Sequence, residues 1–97
     1  MAKNAYVYIL RCSDGSFYTG VTSNLIKRIE DHNEGRYPDS YTFSRRPVEL
    51  VYYAKFTDFR IAIEKEKQIK SWSKAKKKAL IDGDYAKLPN LSKKKFK

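Results

Sequence analysis

The stretch AYVYILRCSDGSFYTGVT, residues 5–22, decides how this chain begins to fold. Ala5 to Arg11 is a run of β-branched, aromatic and aliphatic side chains that reads as a buried strand. Ser13, Asp14, Gly15 and Ser16 form a turn, with Asp-Gly as its hairpin signal. Phe17 to Thr22 is a second strand that ends at or near Gly20. A β-hairpin therefore opens the domain.

Working outward, Ser23 is a good N-cap for the next segment. Leu25, Ile26 and Ile29 recur at helical spacing to about residue 34, and Gly35 stops that helix. Residues 36–47 are a polar, basic loop that contains Arg45 and Arg46. Residues 48–56 form a third strand, with Pro47 at its edge. Thr57 and Asp58 can cap a second helix over residues 59–71, which carries Ile61, Ala62, Ile63 and Ile69. Ser71 or Ser73 punctuates it near Trp72, and a lysine-rich third helix follows at roughly 74–81. Periodicity is lost after Asp82, Gly83 and Asp84. The order ββαβαα makes this an α+β domain with a small sheet, over residues 1–83. Residues 84–97 form a basic C-terminal tail that is expected to be flexible.

With 97 residues, one compact core is all the chain can hold. Cys12 is the only cysteine, so no intramolecular disulfide can form and two- and four-cysteine zinc sites are excluded. His32 is the only histidine, which removes two-histidine zinc motifs as well. The apolar run Tyr6 to Leu10 is too short for a signal peptide or a membrane span, so a cytoplasmic protein without membrane association is expected.

The net charge of +10 is unevenly spread. Residues 1–59 hold eight basic and seven acidic side chains, whereas residues 60–97 hold thirteen and four. Such asymmetry implies a polyanionic partner, with nucleic acid the usual one. A solubilising charged end is the alternative.

Few side chains here can carry chemistry. Tyr8 and Tyr18 lie on the two hairpin strands and share a face if the register permits. A phenol can accept or relay a proton, but its ordinary pKa of about 10 requires help from a cation or a base. Packed strand aromatics are the simpler reading of both. Arg28 and His32, at i and i+4, share a helix face. The arginine can clamp phosphate oxygens and the imidazole can pass a proton, unless both simply face solvent. Glu66 is a single carboxylate that could hold a hydrated divalent cation, or merely pair with Lys70 at i+4. Lys67, Lys70, Lys74 and Lys78 form one basic stripe if the helix continues unbroken. That stripe could follow a phosphate backbone.

In order, Tyr6-Val7-Tyr8, a gap of nine residues, Tyr18-Thr19-Gly20, then Arg28, His32 and Glu66 resemble the GIY-YIG nuclease family, in particular its small single-domain bacterial members. The phrases that carry the match are YVYIL, DGSFYTGVTSNLIKRIEDHN, YTFSRRPVELVYY and AIEKEKQIKSW, and together they span about residues 5–81. The resemblance implies a central three-stranded antiparallel sheet flanked by helices. It also implies hydrolysis of nucleic-acid phosphodiesters, DNA in the first instance and in repair or recombination, with one Mg²⁺ or Mn²⁺. On this resemblance Tyr8, Tyr18, Arg28, His32 and Glu66 are the catalytic residues, and Glu66 is the metal ligand. Tyr18 or Tyr8 would orient or deprotonate the attacking water, with its phenol pKa lowered by the ion and by Arg28. Arg45, Arg46, Lys67, Lys70, Lys74 and Lys78 would grip the backbone away from the cut.

The chain also departs from the pattern. Tyr6 stands where the family name has glycine, and Thr19 replaces isoleucine. Val21 stands where some excision-repair relatives have a lysine near the tyrosine. No asparagine lies between Glu66 and Leu80 to match a supporting one in some relatives. A non-catalytic nucleic-acid-binding module and a protein-interaction adaptor are the alternative functions.

Overall fold

The computed structural model describes residues 4–83. The expected tail, residues 84–97, lies outside the described residues. The observed order is β1 (Ala5–Arg11), β2 (Phe17–Thr22), α1 (Leu25–Glu34), a single 3₁₀ turn (Phe43–Arg45), β3 (Glu49–Phe56), α2 (Phe59–Lys70) and α3 (Lys74–Ile81). The three strands form one antiparallel sheet in the order β2-β1-β3. The α+β class, the ββαβαα order and the antiparallel sheet are therefore as expected.

The central position of β1 explains its unbroken apolar run, because both of its faces are covered. Ala5, Val7 and Ile9 point to one face and pack with Ala62, Ile69 and Leu80 from α2 and α3. Tyr8 and Leu10 point to the other face, where Cys12 and Val48 join them and Leu25 and Ile29 of α1 pack over them. The sheet thus has a helix layer on each side. The β1–β3 register shifts between Ile9 and Leu10, so that Tyr52 faces Ile9 and Leu50 faces Leu10. Val51 is the extra residue, and this bulge returns Leu50 to the α1 side of the sheet.

Asn24, not Ser23, caps α1, and its side chain accepts from the Lys27 amide at 3.2 Å. The reason is local. β2 runs on through Thr22, whose hydroxyl accepts from the Asn24 amide, so the chain turns into the helix one residue later than expected. Gly35 does end α1, with φ 77° in the left-handed region. A Cβ there would also strike the Arg46 guanidinium, which leaves glycine as the residue that fits. Asp58 caps α2 and Ser73 caps α3. Because the chain breaks between Lys70 and Lys74, the four lysines do not lie along one continuous helix.

Thr19 on β2 is 1% exposed, and its hydroxyl has no hydrogen-bond partner among the described residues. Desolvating a hydroxyl without a partner is costly. The isosteric Thr19→Val is therefore expected to raise stability by about 1 kcal/mol, seen as a higher melting temperature. A lower melting temperature would mean that the hydroxyl has a partner after all.

Candidate active site at the free edge of the sheet

The hairpin register sets Tyr8 opposite Gly20 and Tyr18 opposite Leu10. Tyr8 and Tyr18 are therefore diagonal neighbours on one face, with ring centroids 6.4 Å apart. Tyr8 is fully buried. Its ring lies across Gly20, where an added Cβ would come within 2.5 Å of Cζ. Glycine at position 20 is what lets the phenol cross β2 toward the edge of the sheet. Along the sequence Gly20 marks the end of a strand and of the Tyr18-Thr19-Gly20 motif. A glycine inside an otherwise β-branched strand was the available signal for such a close approach.

One helical turn beyond Arg28, His32 is 3% exposed, so it is not part of a solvated face. Nε2 is 3.3 Å from the Tyr8 hydroxyl and Nδ1 is 2.7 Å from Thr42 Oγ1. Thr42 is itself buried and lies 3.1 Å from the Ser40 hydroxyl. Phenol, imidazole and two hydroxyls thus form one hydrogen-bonded chain from the sheet into the loop. The imidazole is also edge-on to Tyr18 at 5.3 Å and to Tyr37 at 5.1 Å. Thr42, Tyr37 and Tyr41 are site residues that the sequence did not single out, because loop residues carry no periodicity to mark them.

The protein's own groups shift two of these side chains. Burial pushes the Tyr8 phenol well above its ordinary range, and the neighbouring Tyr18 adds to this. The Arg28 guanidinium pulls it back only in part. The protein's own groups therefore favour the neutral phenol at Tyr8. Burial also lowers the His32 pKa from 6.5, with Arg28 acting in the same direction and Asp31 against it.

A neutral folded His32 has a consequence for stability. On acidification the unfolded chain, with its histidine near 6.5, takes up the proton before the folded one does. The contribution is complete above that pH and is lost as the pH falls below it. The wild-type melting temperature is expected to drop between about pH 7.5 and pH 5.5 by more than that of His32→Gln. Equal drops in the two proteins would refute this.

Glu66 comes from α2, on the opposite face of the sheet from Tyr8 and His32. Its side chain is 10% exposed, and Oε2 is 2.9 Å from Lys70 Nζ. The same ammonium lies 5.9 Å from the Tyr18 ring centroid. Lys70 therefore links the carboxylate to the tyrosine cluster around the β2 edge. It also brings a cation to Tyr18 from another element, although Val21 lacks one. Arg28 is half-buried, with its guanidinium 5.5 Å from the Tyr37 ring.

The six proposed backbone contacts are less uniform than the sequence implied. Arg45 donates to Asp14 and to the Tyr41 carbonyl, and its guanidinium lies 3.8 Å over the Tyr41 ring, which stacks on Tyr18. Arg46 donates to the Phe43 and Asn33 carbonyls. Both arginines hold the loop in place. Lys78 pairs with Asp82, Lys74 reaches over the Phe17 ring, and Lys67 is exposed.

As a donor set for a divalent cation, the site offers one carboxylate on which an ammonium already rests. No group of three or more His, Cys, Asp or Glu side chains converges among the described residues. Such a set fits an ion that keeps most of its waters, as Mg²⁺ does, rather than a caged metal.

Residues 4–79 match the family model described as the GIY-YIG catalytic domain. A UPF0213 protein of Syntrophus aciditrophicus (strain SB) is 49% identical over 81 residues, covering 84% of this chain and 92% of that one. The solution NMR structure of a UPF0213 protein from Bacillus halodurans is 40% identical, with a TM-score of 0.54 over 81% of this chain and 83% of that one. A second NMR structure, of a protein from E. faecalis, is 32% identical with a TM-score of 0.59, covering 87% and 88%. No helix among the described residues is long and apolar enough to cross a membrane.

Proposed function

Because this chain belongs to the GIY-YIG catalytic-domain family, we propose that it is a metal-dependent endonuclease acting on DNA. The observation that carries this reading is the meeting of two phenols, an imidazole and a guanidinium at the β2 edge, with Lys70 joining them to a buried carboxylate. Mg²⁺ or Mn²⁺ held by Glu66 would supply charge neutralisation at the scissile phosphate and assist departure of the 3′ oxygen.

The protein's own groups divide the remaining work. Tyr18 is only partly buried and orients the attacking water, with Lys70 beside its ring. Arg28 steadies the negative charge that builds on the phosphate oxygens. With the His32 proton on Nδ1, Tyr8 donates to Nε2 and Nδ1 donates to Thr42, so this pair positions the site and passes protons. Water adds at phosphorus and the bond from phosphorus to the 3′ oxygen breaks. The products are a 5′-phosphate and a 3′-hydroxyl, the latter receiving the proton.

One observation favours a second reading, a nucleic-acid-binding module without catalysis: the ammonium already sits on Glu66. Labelled single-stranded, duplex and branched DNA separate the two. Cleavage with Mg²⁺ or Mn²⁺ and none with EDTA is expected of the nuclease. Salt-sensitive binding without cleavage by any divalent ion selects the module. Cleavage that survives both Glu66→Ala and Tyr18→Phe would remove the assigned site.

A further inference from the structure

Lys77 is a buried charged side chain that the catalytic reading leaves unexplained. It is 9% exposed and has no hydrogen bond or ion pair to an acidic group among the described residues. It lines a cavity of about 230 Å³ together with Asp14, Ser16, Phe17, Trp72 and Lys74. The cavity lies between the hairpin turn and the start of α3, on the face of the sheet that carries Glu66. Phe17 at its wall is the chain neighbour of Tyr18.

Its charges are not balanced. Asp14 is the one acidic residue of the lining, and its carboxylate is already engaged. Oδ1 accepts from the Ser16 amide and hydroxyl, and Oδ2 accepts from Arg45. The Lys74 ammonium lies 5.8 Å from the Phe17 ring centroid, with no acidic partner among the described residues. Lys70, a third cation, is near enough for its charge to act on Lys77. Burial and that like charge both push the Lys77 pKa down. An ammonium on a largely buried side chain with no acidic partner among the described residues gains from an anion in the cavity that it lines.

We propose that this cavity is a phosphate subsite, in which Lys77 and Lys74 hold a backbone phosphate of the bound strand next to the one that is cut. The subsite rests on the reading of the chain as a nucleic-acid-binding protein, but not on catalysis. A phosphate fits the volume, meets two ammonium groups, and lies beside aromatic walls that tolerate the adjoining sugar and base. Holding a second phosphate at a fixed place along β2 would set the register of the strand against Tyr18 and Arg28.

Trp72 is the only tryptophan, so its fluorescence reports on this cavity. The test titrates the full chain in EDTA with a short single-stranded DNA and, separately, with inorganic phosphate. Lys77→Met keeps the stem and removes the charge, and Lys74→Gln changes an exposed side chain in case the first variant does not fold. Each is expected to weaken DNA binding about tenfold and to reduce the salt dependence by about one phosphate contact. Lys77→Met should also lose the Trp72 response while melting no lower than the wild type. Unchanged DNA affinity in both variants overturns the subsite. A Trp72 response to inorganic phosphate alone, with DNA affinity untouched by Lys77→Met, assigns the cavity to a free anion and overturns the strand assignment. Lost binding in the variants of a protein that cleaves nothing would keep the subsite and reject the nuclease. Cleavage with undiminished binding would do the reverse.

Discussion

Glu66→Gln is expected to lower metal-dependent DNA cleavage by about a hundredfold or more. On the proposed function Glu66 would hold the ion at the phosphate, so its loss would remove several kcal/mol of transition-state stabilisation, and each 1.4 kcal/mol or so is tenfold in rate. The amide keeps the shape and hydrogen-bonding reach of the acid, so the change is one of charge. The fold should tolerate it. Lys70 is 55% exposed and can turn to water, and an ion pair with one wet partner contributes little to stability. The measurement is single-turnover cleavage beside a thermal melt. A loss below tenfold, with an unchanged melt, would show that Glu66 is not the metal ligand.

Gly20→Ala is expected to cost about 3 kcal/mol of stability, the upper end for overpacking a buried site. For a domain of this size that is a fall of roughly 12–24 °C in melting temperature. The cause is specific. The new methyl would meet the Tyr8 hydroxyl and its Cζ, and Tyr8 is fully buried with its hydroxyl on His32. Neither the ring nor the strand can yield without breaking the Tyr8–His32–Thr42 chain. In a Tyr8→Leu background the same alanine should cost less than about 1 kcal/mol, because the clashing ring is gone. Equal costs in the two backgrounds would mean that the clash is relieved by some other movement. Any residual cleavage by Gly20→Ala should be far below wild type even at temperatures where it stays folded.

Much of this was legible along the chain. The apolar run of β1, the Asp-Gly turn, the spacing of Leu25, Ile26 and Ile29, and the serine and aspartate caps of α2 and α3 are local instructions. Each depends on residues within one or two turns of one another. The helical spacing of Arg28 and His32 was equally readable. The bulge at Val51 was not, since it depends on β3 meeting a partner more than forty positions away. Nor were Thr42, Tyr37 and Tyr41, which the loop delivers to His32 and Tyr18 only after it folds back over α1. The unbroken helix on which the lysine stripe was conditional is not present, because Ser73 caps a new helix and the four lysines do not follow one axis.

By itself, then, the order of residues determined the elements, their sequence and which few side chains have chemistry to offer. Local propensity and side-chain spacing are properties of neighbours. The tertiary structure alone decided that Tyr8 is a fully buried phenol, that Lys70 spans from Glu66 to Tyr18, and that Lys77 lines a cavity without an acidic partner among the described residues. Burial and electrostatic environment are set by groups distant in sequence, and no linear pattern encodes how much water each will keep.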